Sequence, residues 1–588
     1  MHYPSLQTIA ASREAISVFR GLNQQGDIGS GEFAAMENMT SDYYPQAATC
    51  CPPSFFNPEI RPQALLSKEV LCYVQGKSLF MDEEEFDLGL TPGEKELISM
   101  GAYILIMPDK KYFNTADYED FGPIDRMVEA AQWQIDPCDS QGNVVVYDAV
   151  SAAAPASPQD GAIWYDTGGA QHTLKQYDGA LDTWTPIQGY VRLKMKNAGS
   201  DGNNFTSRFS SGDRVPLQIF GDTLIDDGGN PLKEKCPEGW LEQAIWNLAG
   251  EVKLQVLDGT SALLPGLVPA SVCLGNTLRL GDVMPDMDFL FECGNRLWGC
   301  RCGKQNGKFV NEIYASALGD FRRWSSFQGV STDAYTASVG TDGPFTGAMN
   351  YLGYPLFFKE HYIHRVYGSY PAEYRIQTTP CMGIAPGSGR SLCLLGDTAL
   401  YFGRTGIYAY DGALPSLISQ NLKPTAGPGV AGVLGEKYYL SLPGGLYVYN
   451  SRRRLWHRRS AINAAQMCNW YGRLLYFDRT RQGIKELDGG DSGVTFSLET
   501  GILASTEQRS IRSICLRYSL KGWGRVMVEY DSSGVWLAAG TLPETGLGWI
   551  HLPLRPCRCD HFRLKLCGEG SLRLYSIIKT LEKGSDLP

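Results

Sequence analysis

A tight turn marked by glycine and flanked by aromatic-rich alternating segments recurs along the second half of the chain. Residues 351–358 (Tyr-Leu-Gly-Tyr-Pro-Leu-Phe-Phe) and 433–440 (Val-Leu-Gly-Glu-Lys-Tyr-Tyr-Leu) are two examples. The marking glycines are separated by 59, 43, 39 and 37 residues and are Gly294, Gly353, Gly396, Gly435 and Gly472. This spacing is close to the roughly 40 to 50 residues per blade of β-propellers. The repeat therefore predicts a propeller, which is an all-β fold.

The length and composition of the chain agree with several β domains. At 588 residues it exceeds the roughly 100 to 200 residues of a usual single domain, so we expect two to four domains. The 66 glycines and 31 tyrosines supply turn residues and apolar surface, which is typical of all-β proteins. Helical periodicity is confined to two short stretches, residues 33–39 and 124–134.

The charge balance disfavours tight binding to nucleic acid. The 53 basic and 63 acidic residues give a net charge of −10, whereas proteins that hold a phosphate backbone release counterions through basic surfaces. One local basic cluster stands out, because residues 452–454 and 458–459 are arginines that flank Trp456 and His457. The cluster fits either a nucleic-acid surface or a solvated blade edge that prevents pairing between sheets, and the second is the commoner case.

No targeting or membrane-spanning segment is apparent in the sequence. Arg13 and Glu14 interrupt the first 20 residues, so a secretory signal is not expected. The longest strongly apolar run, residues 102–107, has the length of a buried strand and not of a membrane helix of about 20 residues. We therefore expect a protein without a membrane span, made in the cytoplasm, whose 16 cysteines are mostly reduced and buried.

The strand pattern divides the chain into five parts. We predict a β-propeller of about six blades with an inserted small β domain and a C-terminal β-sandwich, because blade loops accept insertions and the last strands alternate over longer stretches. The predicted parts are an extended N-terminal arm (1–60), the first blade (61–128), an inserted small β domain with linkers (129–265), the remaining blades (266–490) and the C-terminal β-sandwich (491–588).

Two kinds of metal-ligating residue occur at short spacing. The pairs Cys300/Cys302 and Cys557/Cys559 fit either half of a metal site or two thiols on one strand face inside a core, and the spacing favours the core. His361 and His364 fall on opposite faces of a strand, so they cannot easily chelate one ion.

Signals for catalysis or sugar binding are weak. Residues 530–536 (Tyr-Asp-Ser-Ser-Gly-Val-Trp) resemble the Asp-box of sialidases, but the segment occurs once and is better interpreted as a hairpin turn. No pair of carboxylates can be placed across a glycosidic bond from sequence alone. Trp164 and Trp184 are candidates for stacking on sugars, although buried strand aromatics are commoner. The sequence assigns no catalytic, cofactor-binding or metal-binding residue and no cofactor, and we expect no enzymatic activity.

Several segments resemble a known group of viral proteins. Residues 294–299 (Gly-Asn-Arg-Leu-Trp-Gly), 311–316 (Asn-Glu-Ile-Tyr-Ala-Ser) and 319–324 (Gly-Asp-Phe-Arg-Arg-Trp) resemble a signature of propeller proteins in phage tails. The N-terminal arm is similar too, at residues 19–23 (Phe-Arg-Gly-Leu-Asn) and 36–45 (Met-Glu-Asn-Met-Thr-Ser-Asp-Tyr-Tyr-Pro). Further similar patches are residues 356–360, 558–561 and 582–586. Such sequences occur in virion proteins of phages and prophages of Gram-positive bacteria and, more distantly, in nozzle or DNA-stabilising proteins of short-tailed phages.

The resemblance implies a structural virion protein of a bacteriophage tail. It implies a homo-oligomer, a ring-forming nozzle or hub subunit that we expect to be a hexamer, through which viral DNA is retained and ejected without sequence-specific binding. Its other implied partners are tail proteins such as an adaptor or fibre, and its location is the virion after assembly in the host cytoplasm. The net negative charge agrees, because an acidic channel lets DNA slide without sticking.

The nozzle comparison does not explain the inserted domain. Two other functions stay open: a receptor- or glycan-binding tail protein that uses the sandwich or the inserted domain, and a propeller glycoside hydrolase.

Overall fold

The structure is a computed structural model that is built almost entirely of strands. It describes residues 11–196, 204–219, 223–225, 231–235, 251–275, 278–305, 307–325, 331–553 and 558–583. Among these residues the one α-helix is the short α1 (Phe205–Arg208), and the segments Pro371–Glu373 and Gly389–Ser391 form 3-10 turns. The predicted all-β class is confirmed.

The first six strands belong to the predicted N-terminal arm. Residues 33–39, one of the two short stretches with helical periodicity, are extended, because Phe33 and Met36 pack inward from a strand that pairs with the C-terminal part of the chain. The strands are β1 (Ala11–Ile16), β2 (Gly21–Leu22), β3 (Glu32–Glu37), β4 (Met39–Thr40), β5 (Ala47–Thr49) and β6 (Ser54–Asn57).

The next eight strands form two four-stranded sheets, blades 1 and 2, where we expected a single blade over residues 61–128. The sequence pattern shows only one blade here because the first turn of blade 1, residues 68–70, contains no glycine, and the last strand of that blade is a polar Glu-Glu-Phe-Asp without apolar alternation. Blade 1 comprises β7 (Ala64–Ser67), β8 (Leu71–Gln75), β9 (Ser78–Met81) and β10 (Glu84–Asp87), and blade 2 comprises β11 (Glu96–Met100), β12 (Tyr103–Met107), β13 (Lys111–Asn114) and β14 (Phe121–Pro123).

The insertion follows blade 2 and is wider than the predicted residues 129–265. Its first strand begins at Arg126 and its last strand ends at Asp282. These two strands pair with each other, and Arg126 lies opposite Asp282 in their register. The other stretch with helical periodicity, residues 124–134, is also largely extended, since Val128 and Trp133 are buried strand positions. The strands are β15 (Arg126–Glu129), β16 (Gln132–Cys138), β17 (Ala149–Ser151), β18 (Ile163–Asp166), β19 (Thr173–Asp178), β20 (Thr183–Ile187), β21 (Tyr190–Lys196), β22 (Arg214–Ile219), β23 (Thr223–Ile225), β24 (Pro231–Lys235), β25 (Glu251–Lys253), β26 (Gln255–Val256), β27 (Ser261–Pro265), β28 (Val272–Leu274) and β29 (Leu278–Asp282).

Blades 3 to 7 follow the insertion and carry the predicted glycine turns. Each marking glycine lies between the first and second strands of its blade with a positive φ, a backbone conformation that favours glycine. The strands are β30 (Phe289–Cys293), β31 (Arg296–Gln305), β32 (Lys308–Ala315), β33 (Tyr335–Ser338), β34 (Phe345–Tyr351), β35 (Tyr354–Lys359), β36 (Tyr362–Tyr367), β37 (Arg375–Pro380), β38 (Cys393–Leu395), β39 (Thr398–Gly403), β40 (Gly406–Tyr410), β41 (Ser416–Leu417), β42 (Val430–Leu434), β43 (Lys437–Leu442), β44 (Gly445–Asn450), β45 (Leu455–Arg459), β46 (Ala464–Trp470), β47 (Arg473–Asp478) and β48 (Ile484–Glu486).

The seven blades close into a ring, one more than the expected six or so. The first strands of successive blades pack against one another round the axis, with Gly389–Ser391 linking blades 4 and 5, and β46 of blade 7 returns to β7 of blade 1. Each junction between blades has its own buried apolar cluster. The N-terminal strand β6 pairs with β48 as the outermost strand of blade 7. The two ends of the ring are therefore joined by strand pairing.

The remaining strands build the C-terminal sheet, which also takes in the N-terminal strands. It has ten strands, because β1 to β5 pair with the strands of residues 491–588, over which we expected the C-terminal β-sandwich. Its core continues into blades 5 and 6, where Phe19, Leu22 and Trp456 belong to one buried cluster. Its other strands are β49 (Val494–Thr500), β50 (Leu503–Tyr530), β51 (Leu537–Leu542), β52 (Thr545–Pro553) and β53 (Arg558–Lys583).

Candidate functional site: the channel mouth and the outer surfaces

A cavity of about 450 Å³ opens where the first strands of blades 2 and 3 begin; we call it the channel-mouth cavity. The link before β11, the β12–β13 turn and the link before β30 supply most of its lining, and Arg390 reaches it from blade 5. Entrances of this kind, at the axis of a propeller, bring together side chains from several blades.

Salt bridges orient the charged side chains of this cavity. The Lys110 Nζ lies 2.8 Å from Asp286 Oδ1, and the Arg301 Nη1 donates to Asp288 Oδ1 at 2.6 Å. The second oxygen of Asp288 accepts from the Cys302 backbone N–H at 2.9 Å. Two carboxylates are therefore held at the mouth by cations and by a backbone donor.

Glu96 differs from these aspartates, because no salt bridge to a described residue involves it. The Glu96 residue is exposed at the start of β11, yet desolvation by the protein atoms around its carboxyl raises the pKa of that group, and the positive charge of Arg390 opposes this shift. Arg390 is itself held across the channel, since its Nη1 donates to the Ala465 backbone oxygen of blade 7 at 2.9 Å. The cavity thus combines a carboxyl that holds its proton more readily with two ion-paired carboxylates.

A buried ion pair, Lys95 with Asp109, fixes the link between blades 1 and 2 beside this cavity. Thr91 donates to Asp109 Oδ1 from its backbone N–H at 2.8 Å and from its hydroxyl at 2.6 Å. Burial raises the pKa of Asp109, but the hydrogen bonds from Lys95 and Thr91 outweigh it and hold the pKa below its ordinary value. The pair stabilises the wall of the cavity and leaves no free charge there.

A second cavity, of about 630 Å³, lies between blades 6 and 7, the N-terminal segment and the start of β49. Two of its three cations are paired inside the protein, since Arg459 Nη1 lies 2.6 Å from Asp488 Oδ1 and Lys485 Nζ lies 2.7 Å from Asp478 Oδ2, whereas the exposed Arg479 forms no salt bridge with a described residue. These pairs leave little charge to recognise an ionic ligand.

One face of the C-terminal sheet is both basic and aromatic; we call it the outer face. Along β50, Arg517, Lys521, Trp523 and Arg525 point outward, alternating with buried positions such as Leu520. Trp523 is 55% exposed, and the facing strand β52 contributes Trp549, which is 54% exposed. The Arg517 guanidinium lies 5.3 Å from the Trp549 ring centroid. Large aromatic side chains exposed beside cations mark an interaction surface.

An acidic surface lies on blade 1; we call residues 82–87 (Asp-Glu-Glu-Glu-Phe-Asp) the acidic edge. It includes β10, the outermost strand of the blade, and its five carboxylate side chains are exposed. Glu85 accepts from the Ser78 hydroxyl at 2.7 Å, and Asp87 accepts from the Gly89 backbone N–H at 2.9 Å. No salt bridge to a described residue neutralises these carboxylates.

The cysteine and histidine candidates lie in separate places. Cys300 is buried and Cys302 partly buried in the same cluster between blades 3 and 4, which agrees with the core interpretation. Cys559 is buried, whereas Cys557 lies outside the described residues. His364 is buried between the Thr341 and Thr378 hydroxyls at 3.0 and 2.9 Å, and His361 is exposed. The described residues contain no group of three or more potential metal ligands.

The tryptophan pair of the insertion is less open than a sugar platform requires. Trp164 is buried and donates from its indole N–H to the Ser151 backbone oxygen at 3.0 Å, and Trp184 is half-buried against it at 5.3 Å between ring centroids. Residues 531–534 form the turn between β50 and β51, as the hairpin interpretation predicted.

The basic cluster of blade 6 spans the turn between β44 and β45 and the last two residues of β45. Arg452 to Arg454 are exposed there, whereas Trp456, His457 and Arg459 are buried against the N-terminal strands. The three turn arginines agree with the solvated blade edge, whereas Arg459 is buried and pairs with Asp488.

Sequence reasoning missed the channel-mouth residues and the outer face. Glu96, Asp288 and Arg390 are far apart in sequence and carry no motif, so only ring closure brings them together. The outer face had a readable signal, because cations and a tryptophan at positions 517, 521, 523 and 525 share one side of a period-two strand.

Comparisons with known proteins give little beyond the fold. No protein-family model matches the chain, and no curated protein is significantly similar to it. Among solved structures, an exo-β-1,3-galactanase from Phanerochaete chrysosporium is similar at 9% identity and a TM-score of 0.17, over 75% of this chain and 97% of that chain. A family 43 arabinoxylan arabinofuranohydrolase from Bacillus subtilis is similar at 11% identity and a TM-score of 0.17, over 50% and 95%. The extracellular domain of a putative one-component system from B. thetaiotaomicron is similar at 8% identity and a TM-score of 0.24, over 95% and 99%.

The glycoside hydrolases among these structures correct one expectation. We expected the protein not to be an enzyme, and its similarity to such hydrolases contradicts that expectation, which we withdraw. The low identities and TM-scores support no particular reaction. In the part of the chain that the structure describes, no helix has the length and apolarity that crossing a membrane requires.

Proposed function

We propose that the chain is a structural virion protein of a bacteriophage tail, a nozzle or hub subunit that assembles with copies of itself into a ring. The observation that carries the proposal is the exposure of large apolar side chains on several separate units. Trp523 and Trp549 stand on the C-terminal sheet, Phe309 on blade 3 is 73% exposed, and Val146 in the insertion is 87% exposed. A ring subunit needs such separate contacts for two neighbours and for the next layer of the tail.

The segments that resemble phage tail proteins agree with an architectural role. Asn38 accepts from the Ser460 backbone N–H at 2.9 Å and donates to the Thr495 backbone oxygen at 2.8 Å, and Asn450 donates to the Ser41 hydroxyl at 3.0 Å. These contacts fasten the N-terminal segment between blade 6 and the C-terminal sheet. The residues that carry the resemblance thus join the propeller to the sheet as one body.

The proposal extends to partners and location. The ring, expected to be a hexamer, surrounds viral DNA that passes without sequence-specific binding, and other faces contact tail proteins such as an adaptor or fibre in the virion. Its test is to produce the full chain and examine it by negative-stain electron microscopy and sedimentation across a range of concentrations. Closed rings support the proposal, and monomers at every concentration overturn it.

A second candidate function is glycan hydrolysis at the channel-mouth cavity. It is favoured by Glu96, whose raised pKa suits a general acid, and by the Asp288 carboxylate in the same cavity. In this mechanism Glu96 protonates the leaving oxygen while a carboxylate on the opposite side activates water or attacks the sugar.

This candidate is tested by incubating the chain with a panel of bacterial surface polysaccharides. Release of reducing ends that falls at least about 100-fold in Glu96→Gln supports it. The exposed Glu373→Gln on blade 4 is the matched control and keeps full activity. Absence of hydrolysis across the panel eliminates the candidate.

A further inference from the structure

We propose that the outer face of the C-terminal sheet binds the acidic edge of blade 1 on a neighbouring copy of the same chain, head to tail. The proposal rests on the ring-forming function proposed above and names the two surfaces that meet.

The outer face supplies the positive partner. Lys521 and Arg525 are exposed on β50, and Arg573 lies over the Tyr43 ring at 3.6 Å. None of these three cations forms a salt bridge with a described residue. One exposed carboxylate, Glu569, lies among these cations, opposite Trp523 in the strand register. Trp523 and Trp549 add apolar area to these cations, which is the composition of a contact that excludes water.

The acidic edge supplies the negative partner. Asp82, Glu83 and Glu84 are exposed, and the first two hold positive φ values of 47° and 70° in the turn before β10. The chain as a whole carries a net charge of −10, so two copies repel each other wherever acidic surfaces meet. Attraction is strongest where the cationic outer face meets a dense group of carboxylates, and the acidic edge is such a group.

The two surfaces lie far apart on one molecule, as a ring requires. The C-terminal sheet packs on blades 5 and 6, and blade 1 is separated from blade 6 by blade 7. A contact between two different patches is heterologous, and repetition of such a contact generates a ring when the rotation closes. A twofold dimer would need one patch that is complementary to itself, and neither patch meets that condition in charge.

The experiment exchanges the charges of the two surfaces in the full chain. The face variant is Lys521→Glu with Arg525→Glu, and the edge variant is Glu83→Lys with Glu84→Lys. The control for the face variant, Lys308→Glu with Arg375→Glu, makes the same change of net charge at exposed positions of blades 3 and 4. Circular dichroism checks folding, and assembly is measured by sedimentation velocity and native mass spectrometry at about 0.05 and 0.5 M salt.

Each variant alone is expected to lose assembly, with at least a tenfold rise in the dissociation constant, whereas the control assembles as the unmodified chain does. An equimolar mixture of the face and edge variants restores assembly, because each acidic face then meets a basic edge and each basic face meets an acidic edge. Rings that form normally from each variant alone overturn this interface and leave the ring function standing. A chain that never assembles overturns both. Single-stranded DNA that binds the unmodified chain and not the face variant, with assembly unchanged in both, assigns the face to nucleic acid and overturns the proposal.

Discussion

Breaking the buried pair of Lys95 and Asp109 will destabilise the propeller by an amount that the structure allows us to estimate. The Lys95 and Asp109 side chains are 1% and 3% exposed, so neither charge can be solvated when its partner is removed. Leaving one charge unpaired at such a site costs about 3 to 5 kcal/mol. We expect Lys95→Met and Asp109→Leu each to lose stability in this range, and the double variant with both substitutions to lose clearly less than the sum.

The assay is urea unfolding followed by tryptophan fluorescence, with the transition of the propeller analysed by itself. With a slope of about 3 kcal/mol per molar urea, the single variants shift the midpoint down by about 1 M. The lowered pKa of Asp109 adds a pH signature: its contribution is present above the unfolded pKa of about 4 and is lost as the pH falls below it. Single shifts below about 0.2 M, or strictly additive losses in the double variant, would refute the reasoning.

Three further predictions concern the turns, the buried histidine and the closing strand. Gly21→Ala should lower the free energy of unfolding by at least about 1 to 2 kcal/mol, because φ is +83° and the new Cβ would lie 2.4 Å from a backbone oxygen of blade 6. Gly76→Ala has open space around its Cβ and should lose less stability in the same thermal melt. Burial and the charge of Lys359 lower the pKa of His364 to about 4, so stability is full above about pH 6.5 and falls by up to about 3 kcal/mol towards pH 4. His364→Gln should flatten this pH dependence and His361→Gln should not, and equal pH profiles would contradict the argument. Phe56→Ala removes an edge-to-face contact with Trp470 of blade 7, whose ring centroid lies 5.4 Å from that of Phe56. Relative to the unmodified chain, hydrogen exchange should become faster in blade 7 and stay unchanged in blade 4.

Blades 3 to 7 were predictable because each needs a tight turn after its first strand, and glycine at positive φ marks that turn in the sequence. Blade 1 could not be separated from blade 2 by this pattern, because its first turn, residues 68–70, contains no glycine and its last strand is acidic. The pairing of β1 to β5 with the C-terminal sheet was not predictable, because strand partners hundreds of residues apart leave no local pattern. Glu96 and Arg390 are likewise hundreds of residues apart in the sequence, so only closure of the ring brings them together at the channel mouth.

The most direct test of the proposed function is to determine the oligomeric state of the purified full chain by native mass spectrometry and to examine the same sample by electron microscopy. Ring assembly predicts one discrete species of several copies, six being expected, with a central opening. A single mass of one chain, at low salt and at every concentration measured, would contradict it.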